Sequence, residues 1–402
     1  MCLLLLLATI QLVAQGQSSA KISDQSAQQF VKPDSIPQKD LGDVFSKAFH
    51  IKPKKLPPTG RKKIYFSLLP TSSIVPRGSD AVLSTLNDAF YLGSRRNTSL
   101  STVTFTPYPD LDGRYVFPIR SNIWLSKNSF NIQGDVRFLI YPQYTWGLGG
   151  KQPEDRKISV YYNYIRYYQT ILKKIRPNFF GGIGYNLDDH FHMETLGDSL
   201  QKFVKYNYGT GHSSLAIGLT ANLLYDSRNS SINPTQGFYA NAIYRNNQHF
   251  LGSDDNWQSV FVDARKYFSF SHIHHNVLAL WSYYWAVVGG NAPYYDLPSI
   301  GWDPYTNSGR GYQQSRYRGQ KLFYIESEYR RDLTANGLFG YVLFANLHSV
   351  SEPATNTFTY WHPAGGLGLR IKLSRNSNTN IDVDYGIGTA RSGFYLNVAE
   401  MF

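Results

Sequence analysis

Over residues 323–330 the side chains alternate, one by one, between two chemistries. Tyr324, Glu326, Glu328 and Arg330 fall on one side of an extended chain, and Phe323, Ile325, Ser327 and Tyr329 on the other. A strand reverses side-chain direction at every residue, so this run has one polar, ionised face and one mostly apolar face. The pattern returns near the end of the chain. In residues 365–373, Leu367, Leu369, Ile371 and Leu373 oppose Gly366, Gly368, Arg370 and Lys372. In residues 380–388, Ile381, Val383, Tyr385 and Ile387 oppose Asp382, Asp384, Gly386 and Gly388. Charges in a dry core cost several kcal/mol each unless paired. Two architectures accept such strands: a barrel with a wet interior and an oily outside, or a sandwich of two sheets with polar faces outward.

The whole of residues 63–402 has this texture. Short alternating or aromatic runs are punctuated by Gly, Pro, Asn and Asp. They fall at 64–69, 81–92, 100–107, 121–125, 131–141, 157–170, 178–185, 213–225, 237–245, 258–270, 276–288, 320–331, 338–348, 365–373, 380–388 and 393–402. Many approach the roughly 9–11 residues that cross a bilayer at a tilt. No segment reaches 18 consecutive apolar residues, so a membrane-spanning form must be a closed barrel. Composition agrees: aromatics are 15% with 31 Tyr, and charged residues only 17%, against roughly 25% in soluble domains. Tyr, with an apolar ring and a polar tip, suits membrane–water boundaries.

Residues 1–16 read as a secretory signal, with an apolar run at 1–13 and small residues toward a cut near Gly16. Cys2 is the only cysteine and lies inside this leader, which excludes disulfides and thiol catalysis in the mature chain. Residues 17–62 are polar and proline-rich and end in a lysine- and arginine-rich stretch. They read as a flexible periplasmic lead-in with one short helix at 41–50. The net charge of +12 is spread without a clustered patch. On an exported chain it suits outer-membrane lipid and lipopolysaccharide headgroups rather than nucleic acid.

Chemical motifs are sparse. There is no GxSxG element, P-loop or HExxH. His272, His274 and His275, and the alternating His190 and His192, have no second ligand cluster at metal spacing. The expectation is a chain without catalytic, cofactor or metal residues, and not an enzyme. Trp281, Trp285, Trp302 and Trp361 read as interfacial aromatics.

Three segments carry a resemblance. The first is Arg310-Gly311-Tyr312, ahead of the alternating strand. The second is YDSRNSSINPTQGFY, with Asp226, Arg228, Pro234 and Gly237. The third is the C-terminal group of runs ending in GFYLNVAEMF. Together they resemble the BamA/TamA family of outer-membrane assembly factors, the bacterial surface-antigen barrels, and most nearly its short Bacteroidetes-type members. Residues 17–62 are too short for a POTRA domain, so the expectation is a POTRA-less member. Gly309 stands where the family usually has an apolar residue.

The expectation is an all-β fold, a 16-stranded antiparallel transmembrane β-barrel with an inward-folded loop. The resemblance implies the bacterial outer membrane as location. The implied function is to assist folding, insertion or translocation of outer-membrane proteins, with such clients and accessory lipoproteins as partners and no cofactor. A passive channel, or a structural barrel subunit of an outer-membrane complex, is the other reading. The motif arginine would lie in the lumen, so Arg310 is expected to pair with one or two of Glu326, Glu328, Asp382 and Asp384. Gly309 and Gly311 would let the loop backbone approach the wall. Asp226, Arg228, Pro234 and Gly237 read as a strand–turn–strand motif. Phe394, Leu396, Val398 and Phe402 would share one face as a C-terminal strand signal.

Overall fold

Alternating runs this long have unsatisfied backbone groups along both edges, and pairing with the next run is the nearest remedy. In the computed structural model every described ladder between successive strands is antiparallel. The structure describes residues 37–48, 50, 65–75, 79–94, 96–109, 113–196, 211–270, 276–304, 307–375, 378–389, 392–398 and 400–402. The leader and most of the lead-in therefore lie outside the described residues, as do His272, His274 and His275.

The described residues form one α-helix, α1 (Leu41–Ala48), four single-turn 3-10 helices, and 18 strands in one sheet. These are β1 (Tyr65–Val75), β2 (Ser79–Phe90), β3 (Ser101–Phe105), β4 (Tyr108–Pro109), β5 (Tyr115–Trp124), β6 (Phe130–Ile140), β7 (Gln143–Thr145), β8 (Ile158–Arg176) and β9 (Phe179–Leu196). They continue as β10 (Ser213–Asp226), β11 (Gly237–Asn247), β12 (Trp257–Ser269), β13 (Val277–Gly290), β14 (Lys321–Asp332), β15 (Phe339–Val350), β16 (His362–Ser374), β17 (Thr379–Gly388) and β18 (Ser392–Val398). β3 and β4 both pair with β5, and β6 and β7 both pair with β8. Each couple is one strand interrupted at a proline, Pro107 or Pro142, which has no N–H to give the ladder.

Burial is inverted relative to a water-soluble sheet. On β14, Glu326 and Glu328 are buried while Ile325 is 44% exposed. On β16, Arg370 is buried while Leu367 is 61% exposed. Ile171, Ile183, Leu219, Leu343 and Ile387 are exposed in the same way. The polar faces look inward and the aliphatic faces outward. Aromatics are also recruited inward: Trp281 is buried against Tyr283, Tyr324 and Phe402. This corrects the interfacial expectation for Trp281, and for Trp302, which is buried in the β13–β14 loop. Trp361 is the exposed one of the four.

Strands β8 and β9 outrun their sequence expectation. Asp188-Asp189-His190-Phe191-His192 lies beyond the run expected at 178–185 yet continues β9, because Asp188 and His190 face a polar interior that accepts them. β18 falls short of its expectation and ends at Val398.

Candidate functional site

The 30-residue connection between β13 and β14, residues 291–320, is buried along most of its described length. A loop in solvent could not be. One flank hydrogen-bonds to the β6–β7 wall. Arg137 Nη2 donates to the Pro304 carbonyl (2.7 Å), Tyr141 OH to Gln314 Oε1 (2.7 Å), and Ser315 Oγ to Gln143 Oε1 (3.1 Å). The other flank meets β15, β16 and β18. Asn346 Nδ2 donates to the Arg310 carbonyl (2.9 Å), Tyr312 OH to the Pro363 carbonyl (2.6 Å), and the Gly311 amide to Tyr395 OH (2.7 Å). Strands remote in the meander thus face one loop, and the sheet curls around it.

Arg310 sits at the centre with no exposed surface. Its Nη1 donates to Asp384 on β17, and its Nη2 to both Glu326 and Glu328 on β14. The guanidinium lies 3.6 Å from the centre of the Phe344 ring on β15, a cation–π contact in a desolvated setting. Burial alone would lower the Arg310 pKa. The charges of Glu326, Glu328 and Asp384 more than reverse this and hold it well above its ordinary value, so the side chain stays charged. Glu326 also accepts from Tyr324 OH, whose oxygen accepts from the Gly309 amide (3.2 Å).

The loop reaches this depth because two glycines meet a bare strand. Gly309 and Gly311 have φ of +83° and +97°, a region that side chains resist. A Cβ on Gly311 would stand 2.9 Å from the Gly388 amide nitrogen and 2.8 Å from the Ala364 Cβ. Gly386 and Gly388 on β17 offer no side chain to keep the loop away; a Cβ on Gly388 would lie 2.4 Å from the Gly311 carbonyl oxygen.

A second layer of charge backs the first. Arg370 reaches Asp384 (2.5 Å), Asp382 (3.1 Å) and Glu400 (2.9 Å). Arg330 reaches Glu328 (2.7 Å) and Glu400 (3.6 Å). Of the four acids expected around Arg310, Asp382 goes to Arg370 instead. The register explains this: Asp382 stands directly opposite Arg370 on the neighbouring strand.

The C-terminal residues depart from their expectation. Phe394 faces outward at 51% exposure, and Leu396 and Val398 share its alternate positions on β18. Phe402 does not join them. Beyond β18 the chain turns inward and buries Glu400, Met401 and Phe402. Phe402 packs 5.2 Å from Trp281, and its carbonyl accepts from Arg330 Nη2 (2.9 Å). The Met401 carbonyl accepts from the loop's Asn307 (2.6 Å). Ion pairs with Arg330 and Arg370 and a hydrogen bond from Asn380 Nδ2 draw Glu400 inside, and its neighbours follow.

At the strand–turn–strand motif, Arg228 forks onto Asp226 (2.9 and 2.8 Å) and stacks 4.3 Å from Tyr239. Gly237 has φ +109°, and a Cβ there would lie 2.4 Å from the Ser227 carbonyl oxygen. Pro234 is buried in the turn. These residues build a turn and make none of the Arg310 contacts described above. They also contribute Arg228 to an interior cavity of about 370 Å³. Arg120, Arg166, Arg245, Thr220 and Asn222 line it too. Beside it, Asp188 holds Arg245 (2.5 Å), Tyr168 (2.6 Å) and Tyr164. His190 stacks on Tyr164, ring centres 4.2 Å apart. The loop's Asp296 lies 4.0 Å from His190. Burial first, and then the charge of Asp188, push the Asp296 carboxyl well above its usual pKa, against the lowering effect of Arg245, Arg166 and Arg318.

Sequence reasoning missed Phe344, Asn346, Tyr395 and the inward tail. Gly386 and Gly388 were visible as small residues on the polar face of β17, and were the available signal for a close-packed loop.

These features define a class: antiparallel strands with aliphatic faces outward, curled around a loop held by one buried arginine. Residues 124–392 match the Omp85 superfamily domain, well over half of the chain, and the chain belongs to that superfamily as a BamA/TamA-like member. Among solved structures it is similar to BamA from Haemophilus ducreyi lacking POTRA domains 1–3, at 14% identity and TM-score 0.52, covering 84% of this chain and 70% of that one. It is also similar to CdiB from Acinetobacter baumannii (11%, TM-score 0.51, 84% and 66%) and CdiB from Escherichia coli (11%, TM-score 0.51, 85% and 67%). The chain thus spans about two thirds of the length of these structures. At these identities the likeness is one of fold. Comparison with curated protein sequences gives no match.

Proposed function

We propose that this chain is a closed, 16-stranded outer-membrane barrel that assists the folding, insertion or translocation of other outer-membrane proteins. With β3/β4 and β6/β7 each counted as one interrupted strand, the 18 strands make sixteen staves, and the loop contacts on remote staves favour closure. The observation that carries the function is the Arg310 pin. It ties the interior loop to β14 and β17, next to the last strand. β18 has only seven residues where β1 has 11. A seam between strands of unequal length leaves backbone donors and acceptors open, and an open edge is a template for an incoming strand. Bilayer thinning near a poorly matched seam would assist. Clients and accessory lipoproteins are the partners of this reading, lipopolysaccharide and lipid its surroundings, and no covalent chemistry is assigned. The experiment is reconstitution in liposomes with a urea-denatured small barrel as client. Faster appearance of the folded, heat-modifiable client supports the reading; a rate equal to that of empty liposomes defeats it.

The cavity of about 370 Å³ beside the loop, with Arg120, Arg166, Arg228 and Arg245 in its lining, favours a second reading, a passive channel. Planar-bilayer conductance that persists with client folding unchanged would select it.

A further inference from the structure

The interior cavity brings unpartnered polar groups together with a local surplus of positive charge. Arg166 and Arg245 line it, and they share one carboxylate, Asp188, at 3.6 and 2.5 Å. Arg166 also lies 3.7 Å from Asp135, which is already bonded to Arg137. Three arginines thus divide two carboxylates. Arg120 approaches Asp135 to 3.9 Å and has the charge of Asp303 acting on it as well. Glu400 faces the cavity from another wall, held by Arg330 and Arg370. A buried charge without full compensation is costly, and a bound counter-ion is one remedy.

Three polar atoms around this cluster have no hydrogen-bond partner among the described residues: Trp257 Nε1, His190 Nδ1 and Asp296 Oδ2. Their residues line the same cavity and are only 2%, 2% and 8% exposed. They lie close to the arginines and to one another. The Arg245 guanidinium is 5.0 Å from the Trp257 ring centre. Tyr164 accepts from Arg166 Nε (2.7 Å) and stacks on His190, which is 4.0 Å from Asp296. Indole N–H and guanidinium groups only donate, so the partner they lack is an acceptor. Asp296, whose carboxyl pKa is raised by burial first and then by Asp188, can present a proton too.

The cavity reaches the exposed Ser231, with Arg228 and Ile232, in the β10–β11 connection. The same end of the sheet holds the β14–β15 turn, where the lead-in attaches through the Lys39 amide and the Asn336 carbonyl (3.0 Å). At the opposite end the β7–β8 connection ties the loop to the β15–β16 connection. The Gly149 amide donates to the Arg318 carbonyl (2.8 Å) and the Gly150 amide to Glu352 (2.6 Å).

We propose that this cavity binds a phosphate group entering from the lead-in side, with the Arg166 and Arg245 forks and the Trp257 N–H as donors. These donors come from β8, β11 and β12, and a tetrahedral dianion has oxygens for several directions where a carboxylate has two in one plane. The volume, about 370 Å³, admits a small phosphate ester as well as the free ion. The site is independent of client insertion.

The test is isothermal titration calorimetry of the full chain in a non-ionic detergent at constant ionic strength. The titrants are inorganic phosphate, glycerol 3-phosphate, glycerol and chloride. Saturable binding of the phosphates, with none of glycerol or chloride, is expected. Tighter binding of the ester identifies a phosphorylated small molecule as the source; equal or weaker binding identifies the free ion. Trp257→Phe removes one donor to a charged group and should weaken binding roughly tenfold. Arg245→Gln should abolish it, with heat-modifiable mobility reporting that each variant is folded. No saturable phosphate binding, chloride bound as well as phosphate, or unchanged affinity in Trp257→Phe each overturn the site. None of these outcomes bears on the liposome assay of client folding, so the assembly reading stands or falls separately.

Discussion

Replacing Arg310 with alanine would leave Glu326, Glu328 and Asp384 buried around an empty space. Removing one partner from a buried ion cluster costs about 3–5 kcal/mol, so Arg310→Ala should lower the urea midpoint of the detergent-solubilised barrel by that equivalent. Arg310→Lys should recover little, since a point charge lacks the planar fork for three carboxylates and the face to lie on Phe344; tryptophan fluorescence during unfolding reads both. Asp296 gives the pH prediction. Its carboxyl pKa is raised above the usual range, by burial first, so folding takes up a proton between pH about 4 and its folded pKa, and its contribution to stability falls as pH rises through that window. Asp296→Asn keeps the neutral shape and should gain relative to wild type on going from about pH 5 to about pH 8. Equal shifts at both would refute the assignment. His348 is fully buried among Tyr312, Tyr317 and His362, and among the described residues neither ring nitrogen has a hydrogen-bond partner. His348→Phe should therefore be neutral or stabilising.

Single elements owe their position to a few backbone approaches. Gly311→Ala combines a positive φ with a Cβ 2.9 Å from the Gly388 amide nitrogen. It should expel the loop tip while leaving the wall strands paired. The check is limited proteolysis: new cleavage within residues 307–320 and an unchanged far-ultraviolet spectrum, against full protection if the loop tolerates a methyl group. At this scale the sequence was most informative where one face had to differ from the other. The alternation in β14, β16 and β17 located those strands, and their inward acids put three of the four candidate partners around Arg310. It was silent where the interior set the outcome. The run expected at 178–185 extends through Asp188–His192 because a polar interior is there to receive it, and Phe402 reads as an outward strand residue until Glu400 finds Arg370 and Arg330. Side-chain partners remote in sequence decide these places, and no local pattern encodes them.

Stability should be uneven around the whole wall. β8 and β9 have 19 and 18 residues and pair with each other along nearly all of them. β18 has seven, paired with β17 from Ile381–Val398 to Ile387–Ser392, and the residues that could lengthen it turn inward instead. Local opening scales with the hydrogen bonds and contacts that must break together, so the sheet should open first at β18 and last at β8–β9. Amide hydrogen exchange of the folded barrel in nanodiscs measures this directly. β18 amides are expected to exchange faster than those at the centres of β8 and β9. Glu400→Gln, which weakens the hold of Arg330 and Arg370 on the tail, should accelerate β18 further and leave β8–β9 unchanged. Uniform protection around the wall would remove the physical basis for a seam at β18, and with it the strand-templating route to client insertion.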